Sequence, residues 1–283
     1  GGAGRRMDVP AAAVADAQGW QLVSIHDNST VEALGEDSGD AGNSVLRGPE
    51  ILAHEIRNPL AGIRGAAQLL GRKLEGSERK LTELIAAEVD RIATLIEQMQ
   101  LLSGKTRAPV APCNLHEIVR RAAAILEAAE GQAALPCSIA EEFDPSLPAA
   151  LGNGDALVQV VINLLVNAGE ACRDTKNPRV VVRTRFASGL QLHTSPSGET
   201  VRLPVELRVS DNGPGVPPSL REHIFEPFVT TKKSGQGLGL ALVRKLVRDM
   251  NGRISHERDD AGGMTHFRIH LPMAQTAKRA HGG

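Results

Sequence analysis

The chain contains no tyrosine, and aromatic residues make up only 2 % of its 283 positions. So few aromatic side chains disfavour base stacking, a usual means of binding single-stranded nucleic acid. The net charge is −1, with 32 basic and 33 acidic residues, so no overall field attracts nucleic acid or an anionic membrane. We therefore expect no direct contact with nucleic acid.

Cysteines and long hydrophobic runs are also scarce. Cys113, Cys137 and Cys172 show neither C-x-x-C nor metal-ligand spacing, and they fit a reducing cytosol better than a disulfide framework. No apolar run approaches the roughly 18 residues of a membrane span, and the first residues lack the core of a signal peptide. We expect a cytoplasmic protein without a membrane segment.

Two amphipathic stretches follow a polar, glycine-rich segment that ends near residue 48. From 49 to about 74, and again through 78–104, apolar residues recur at three- and four-residue steps. A short break joins the two stretches, which predicts an antiparallel helical hairpin. One hairpin buries both apolar stripes poorly, so we expect two copies to pack as a four-helix bundle in a homodimer. Docking of the stripe within the same chain is the alternative.

The first of these helices carries a polar group around a proline. On a helical projection His54 lies roughly 160° from the centre of the apolar stripe, and Asn58 lies one turn further on the same face. Glu55 is adjacent. Pro59 has no amide hydrogen to donate to the carbonyl of Glu55, so a bend is expected just after the histidine. Taken alone, the group fits a solvated helix face as well as a site.

The remaining sequence mixes helices with mostly antiparallel strands, which predicts an α+β layered domain. Helices are expected near 114–130, 154–174 and 237–251, and 187–200 fits an exposed hairpin tip. Strands are expected in "CSIAEEF", "RVVVRTRF", "RLPVELRVSD", "GRISHER" and "THFRIHLP". Before residue 48, "GWQLVSIHDNST" holds one strand-like run with no partner nearby, as at the end of a preceding domain.

Two glycine clusters and a pair of asparagines suggest a ligand site. Asp211 opens "DNGPGVP" directly after a strand, where it is either a ligand group or a turn residue. "SGQGLGLALV" at 234–243 opens into a helix and offers amides and a positive helix end to a phosphate; a glycine-rich helix cap is the alternative. Asn163 and Asn167 share a helix face and offer amide oxygens that suit Mg²⁺, or else they cap neighbouring backbone.

In this order, the His–Glu helix, N-x-x-x-N, D-x-G-x-G, F-x-P-F and G-x-G-x-G resemble the sensor histidine kinases of two-component systems over residues 45–275. "HEIRNPLAGIRGAAQLL", and "FDPSLP" together with the later "VRTR" and "DNGPGVPP", are similar to the nitrogen-regulation sensor kinases. The resemblance implies the tail of a PAS-like sensory domain and a linker at 1–48, a dimerisation and phosphotransfer hairpin at 49–106, and a GHKL-type ATP-binding domain at 112–275.

The resemblance also implies roles for the polar group on the first helix. His54 would be the residue phosphorylated from ATP, and Glu55 would take or orient the proton on its other ring nitrogen. Asn58 would position the water that hydrolyses the phosphorylated partner. That partner would be a response regulator of NtrC type, and a PII-type signalling protein would shift the balance towards phosphatase action.

In the ATP-binding domain, the resemblance implies that Asn167 binds Mg²⁺, that Asn163 faces the phosphates and that Asp211 accepts from the adenine amino group. "FEPFVTTKKSGQGLGL" at 225–240 would form a mobile lid, anchored by Phe225 and Phe228. The other residues expected to bind ATP are Gly213, Gly215, Thr231, Lys232, Lys233, Gly235, Gly237 and Gly239. An ATPase or serine kinase on the same nucleotide fold, and an ATP-binding scaffold that transfers nothing, are the alternatives.

Overall fold

The computed structural model describes residues 11–13, 21–23, 48–104, 107–128, 137–187, 191–193, 200–232 and 235–274. Side chains are described from Glu55 onward, except in 191–193 and at Thr200. The chain divides into two compact units, Gly1–Glu55 and Ile56–Gly283.

Two short strands of the first unit form an antiparallel pair. Strand β1 (Ala11–Ala13) pairs with β2 (Gln21–Val23), and Ala12 lies opposite Leu22. The strand expected in "GWQLVSIHDNST" is thus present, but the expectation that it has no partner nearby is wrong. Alanine is depleted in strands, so three alanines give little signal of a partner strand. The PAS-like assignment of residues 1–48 stays a prediction, because most of them lie outside the described residues.

The predicted helical hairpin consists of α1 (Gly48–Gly71) and α2 (Gly76–Ser103). Helix α1 continues through Pro59, and a bend at that residue stays a prediction. Polar contacts that cross between the helices include Arg64 Nε, 3.0 Å from Asp90 Oδ1, and Arg57, which donates to Gln100 Oε1 at 3.1 Å and lies 3.7 Å from Glu97 Oε1. The amide of Gly104 donates to the carbonyl of Gln100 and closes the last turn of α2.

The hairpin buries little of its apolar surface. Leu60 and Ala67 of α1 and Val89 of α2 are buried. Most other members of the two stripes are exposed: Ile56, Ile63, Leu69 and Leu70 on α1, and Leu81, Leu84, Ile85, Ile92, Met99 and Leu101 on α2. Apolar exposure on this scale marks an interaction surface. It agrees with the expectation that a second hairpin covers these side chains.

The second domain is built on a five-stranded sheet with the order β10-β11-β9-β6-β4. Its strands are β4 (Ile139–Glu142), β6 (Val180–Phe186), β9 (Val205–Asp211), β10 (Arg253–Asp259) and β11 (Met264–Leu271). Only the β4–β6 pair is parallel among these described strands. Two antiparallel pairs lie outside the sheet: β3 (Ala111–Cys113) with β5 (Ala150–Gly152), and β7 (Gln191–His193) with β8 (Thr200–Arg202).

Three helices cover one face of this sheet, namely α3 (Leu115–Glu127), α4 (Gly154–Cys172) and α5 (Gly239–Asp249). Asn114 and Asn153 begin α3 and α4, since their side-chain oxygens accept from the amides of His116 and Ala156. The core between helices and sheet includes Leu157, Leu164, Leu165, Val180, Val182, Leu207 and Ile269. The predicted α+β fold class is confirmed.

Helix α4 is the one described helix whose length and apolar composition would suffice to cross a membrane. Half of its most apolar window is buried inside the domain. Its buried residues, among them Val160, Val161 and Ala168, belong to the core that the sheet also lines. Packing against the sheet accounts for this composition.

The other face of the sheet holds a buried carboxylate. Glu206 on β9 is 1 % exposed, and Arg185 donates to both of its oxygens, at 2.9 and 2.8 Å. His270 Nε2 lies 3.1 Å from Oε2. Burial by itself would raise the pKa of Glu206, but the hydrogen bonds of His270 and Arg185 outweigh it and lower this pKa to about 2.

We predict that Glu206→Gln lowers the free energy of unfolding at pH 7 by about 2 kcal/mol, because the variant loses a buried carboxylate whose two oxygens both accept hydrogen bonds. A depressed pKa stabilises the fold above the ordinary value of 4.5, and this contribution is lost as the pH falls towards 2. Urea unfolding at pH 7 and pH 3 measures the difference, which should shrink at pH 3.

The control is Glu142→Gln, which removes an exposed carboxylate 3.8 Å from Arg183 and should change stability little. A loss for Glu206→Gln that stays the same at both pH values would contradict the assigned ionisation.

Candidate functional site

A cavity of about 980 Å³ opens at the end of β9. It is bounded by α4, by the turn after β9, by the segment that precedes α5, and by α2 of the hairpin. Its size is at the upper end of small-molecule and cofactor sites. Most residues predicted to bind ATP line it: Asn167, Asp211, Gly213, Gly215, Thr231, Lys232, Gly235, Gly237 and Gly239.

Asp211 closes β9 with a side chain that is 3 % exposed. Its Oδ1 accepts from the amide of Gly213 at 3.0 Å, which is the turn role that the sequence left open. Among the described residues nothing donates to Oδ2, so this oxygen remains free to accept from a ligand. Burial raises the pKa of Asp211 to about 6, although the Gly213 amide and the cationic Arg258 and Lys232 oppose the shift.

The turn after Asp211 requires its glycines. A Cβ on Gly213 would lie 2.7 Å from the carbonyl oxygen of Ala171 in α4, and Gly215 has φ +79°. Asn212 fixes the turn from outside, because its side chain accepts from the amide of Arg179 at 2.8 Å and donates to the carbonyl of Asn177 at 2.7 Å. The backbone can therefore lie close to a flat ligand held by Asp211.

The two asparagines of α4 differ in their surroundings. Asn167 Oδ1 accepts from Lys232 Nζ at 2.9 Å, and the same ammonium forms an ion pair with Glu170. An amide oxygen and a carboxylate thus share one cation at the cavity wall. Asn163 does not line the cavity. Its Nδ2 donates to the carbonyl of Gln159, and its Oδ1 lies 3.1 Å from the position of a Cβ on Gly239.

Two contacts hold the segment predicted as a lid: one is a backbone hydrogen bond, and the other is a contact between two aromatic rings. Phe228 and Gly237 both have φ 68°, and the Phe228 amide donates to the Gly237 carbonyl at 2.9 Å. Phe225 packs edge-on against Phe267 of β11. Phe228 thus contacts the lid through its backbone and not through its ring, since that residue is 62 % exposed. Lys233 lies outside the described residues.

Several residues that contribute to the cavity were missed in the sequence. Glu170 and Thr265 line the cavity. Arg258 of β10 stands behind the lining and donates to the Gly213 carbonyl and to Thr265 Oγ1, both at 2.9 Å. Thr265 stands opposite Arg258 on one side and Asp211 on the other. Only strand register brings these positions together, and a single sequence carries no local signal of it.

Helix α2 of the hairpin also reaches the cavity. Arg91 and Gln98, two helical turns apart, belong to its lining. Gln236 of the lid donates to the carbonyl of Arg91 at 3.4 Å. The lid therefore contacts the hairpin as well as the ligand cavity.

The predicted phosphoacceptor group lies on α1. Glu55 and Asn58 are exposed. The side chain of His54 lies outside the described residues, so its solvent-facing orientation stays a prediction. The structure thus brings nine of the predicted ATP-binding residues to one cavity and leaves Glu55 and Asn58 exposed on the hairpin.

A helical hairpin joined to an α+β domain with this cavity defines a two-domain histidine kinase. Residues 50–106 match the family model of the His Kinase A (phospho-acceptor) domain. Residues 152–275 match the family of histidine kinase-, DNA gyrase B- and HSP90-like ATPases, so the second domain is an ATP-binding domain. The chain belongs to the NtrB family of sensory histidine kinase/phosphatases.

Three NtrB proteins align with most of this chain. It is 38 % identical to NtrB of Rhizobium meliloti over 97 % of this chain and 71 % of that protein. It is 43 % identical to NtrB of Rhodobacter capsulatus over 95 % and 74 %, and 42 % identical to NtrB of Rhizobium leguminosarum over 84 % and 61 %.

Among solved structures, full-length ShkA in complex with AMPPNP superimposes with a TM-score of 0.64 at 27 % identity. The match covers 81 % of this chain and 46 % of ShkA. It agrees with the ATP-binding character of the second domain.

We predict that Asp211→Asn stabilises the protein while it weakens ATP binding. Because burial raises the pKa of Asp211 from 3.8 to about 6, its ionisation opposes folding by about 3 kcal/mol above pH 6 and not at all below pH 3.8. The variant should melt several degrees higher at pH 8 and equally at pH 3.5. Calorimetry at pH 8 should show ATP bound about tenfold or more weakly.

Asp155→Asn is the matched control, because that carboxylate is exposed at the start of α4. An equal shift in melting temperature at both pH values, or an unchanged ATP affinity, would remove Asp211 from the role assigned to it.

Proposed function

We propose that this protein transfers the γ-phosphoryl group of ATP to His54 and then passes it to an aspartate of a response regulator, as a sensor kinase of nitrogen regulation. We propose further that it hydrolyses the phosphorylated regulator. The observation that supports this function best is the cavity in which Asp211, two glycine turns and a cation-binding pair of oxygens converge, bordered by the hairpin that carries His54.

The nucleotide is held from its base end by Asp211. In this proposal Oδ2 accepts from the adenine amino group while Oδ1 stays bonded to the Gly213 amide. Gly213 and Gly215 permit close approach of the base. Arg258 holds the turn through the Gly213 carbonyl, so the acceptor is positioned before the nucleotide arrives.

The phosphates lie towards α4 and the lid. Gly235, Gly237 and Gly239 offer amides there, and the N-terminus of α5 adds its positive end. On the side of the lid, the phosphates meet Thr231, Lys232 and Lys233. The amide oxygen of Asn163 lies close to Gly239. Phosphoryl transfer requires mainly positioning and charge neutralisation, which these groups provide.

Magnesium fits the donor set of α4. Asn167 Oδ1 and the Glu170 carboxylate already share the Lys232 ammonium, so these oxygens suit a cation, and oxygen ligands are what Mg²⁺ prefers. We assign Asn167 as its ligand, with Glu170 beside it. Bound Mg²⁺ would neutralise charge on the phosphates. Lys232 must release Asn167 when the ion binds.

At the phosphoacceptor, a neutral ring nitrogen of His54 attacks the γ-phosphorus. The bond from that phosphorus to the bridging oxygen breaks, and ADP leaves. Glu55 takes or orients the proton on the other ring nitrogen and so raises the nucleophilicity of the imidazole. In the phosphatase activity, Asn58 positions the water that hydrolyses the regulator's acyl phosphate.

The proposal also assigns the domains, the partners and the location of the protein. The hairpin, residues 49–106, forms a homodimer through its exposed apolar side chains, and residues 112–275 form the catalytic domain. The response regulator is of NtrC type, a PII-type protein sets the balance of kinase and phosphatase, and the protein acts in the cytoplasm. Residues 1–48 are the tail and linker of a PAS-like sensory domain.

The decisive experiment incubates the full chain with Mg²⁺ and γ-labelled ATP and divides the product between acid and alkali. We expect label that is lost in acid and kept in alkali, since phosphohistidine is acid-labile. His54→Gln should abolish it while ATP affinity is unchanged, and chelation of Mg²⁺ should abolish it too.

His26→Gln is the matched control and should label like the parent. Label that survives acid would favour a serine or threonine kinase on the same fold. ATP binding without label would favour a scaffold.

Asn58→Ala separates the two activities. It should leave autophosphorylation of His54 within about twofold, while the half-life of the phosphorylated regulator rises at least tenfold, because the hydrolytic water loses its positioning group. Regulator half-life is measured by decay of aspartyl label in the presence of the variant and ADP. An unchanged half-life would refute the role of Asn58.

A further inference from the structure

Three arginines stand side by side on the sheet face opposite the helices. Arg208 of β9 is directly opposite Arg183 of β6 and Arg268 of β11. Because neighbouring strands lie about 4.8 Å apart, the three residues span about 10 Å across the sheet. Like charges in directly opposite positions destabilise a sheet. The row therefore opposes folding unless an anion neutralises it.

The outer arginines of this row each have a carboxylate, and the central one does not. Arg183 lies 3.8 Å from Glu142, and Arg268 forms an ion pair with Glu257. Arg208 forms neither an ion pair nor a side-chain hydrogen bond with any described residue, and its buried Nε has no partner. Burial and the neighbouring arginines lower the pKa of Arg208, but a guanidinium remains charged at neutral pH.

The nearest acid on the same strand is already engaged. Glu206 binds Arg185 and His270 through both of its oxygens. Its attraction for Arg208 is weaker than the combined effect of burial and repulsion. Arg208 is therefore a partly desolvated cation whose donors have no partner among the described residues.

The charge on this face is arranged from centre to edge. The three central strands, β6, β9 and β11, carry four arginines, two histidines and a single glutamate: Arg183, Arg185, Arg208, Arg268, His266, His270 and Glu206. On the edge strands acids outnumber bases: β4 carries Glu142, and β10 carries Glu257 and Asp259 with one arginine, Arg253, at its start. A basic centre of limited width thus lies between two margins of net negative charge.

We propose that this arginine face, centred on Arg183, Arg208 and Arg268, docks a carboxylate-rich segment of a protein partner, with Arg208 as the central anchor. A guanidinium binds a carboxylate through two parallel hydrogen bonds, and central, desolvated arginines are typical binding hot spots. The acidic margins repel a long polyanion such as nucleic acid. The described strands place no phenylalanine or tryptophan on this face, and its two histidine rings are largely buried, so bases find no exposed ring on which to stack.

The test uses the full chain and a fluorescein-labelled peptide of about twelve residues that alternates glutamate with serine, followed by anisotropy. We expect the peptide to bind, and its glutamine counterpart not to bind. Arg208→Gln should weaken binding at least tenfold, and Arg208→Lys should weaken it less, because lysine keeps the charge and loses the fork. Arg248→Gln, at an exposed position on α5, should bind like the parent.

The same variants exclude a purely structural role. Arg208→Gln should melt at the same temperature or higher, since it relieves repulsion between arginines. A melting temperature lower by several degrees would make Arg208 a structural residue and overturn the proposal. Absence of peptide binding, equal binding by Arg208→Gln, or an RNA oligonucleotide bound more tightly than the peptide in an Arg208-dependent manner would overturn it as well.

Discussion

The nucleotide site depends on a carboxylate that is buried at the end of a central strand. Asp211 lies in one row of the sheet with Thr265 and Arg258, so its position is set by the pairing of β9, β11 and β10 rather than by a loop. The same row supports the glycine turn, because Arg258 binds the Gly213 carbonyl. In the proposed complex, the burial that opposes folding would also keep water from competing for the adenine amino group.

The segment between β9 and α5 connects this rigid row to the hairpin. Phe225 packs against Phe267 near its start, and the backbone bond between Phe228 and Gly237 closes the loop that follows. Within that loop, Lys232 reaches α4 and Gln236 reaches α2. A nucleotide that rearranges this segment therefore changes contacts with both the ATP-binding domain and the hairpin, which is the coupling that a kinase with two opposed activities requires.

Much of the molecule could be predicted from the sequence because its signals are local. The helical periodicity predicted the hairpin. The strand pattern before "DNGPGVP" predicted that Asp211 lies at the end of a strand. Contacts that depend on register could not be predicted, since Arg258, Thr265 and Asp211 meet only through pairing of distant strands. The strands β1, β3 and β5 have three residues each, too few for an alternating pattern. The row of Arg183, Arg208 and Arg268 could not be predicted either, because these residues become neighbours only through the register of three strands.

The lysine of the lid that contacts α4 has a consequence for how the site fills. Lys232 gives Asn167 and Glu170 a positive partner within the chain, so these oxygens are already compensated without a ligand. Under the proposed function, loading the site with a metal nucleotide would exchange one cation for another and would free the Lys232 ammonium for the phosphates. Lid closure and neutralisation of the triphosphate would then depend on the same side chain.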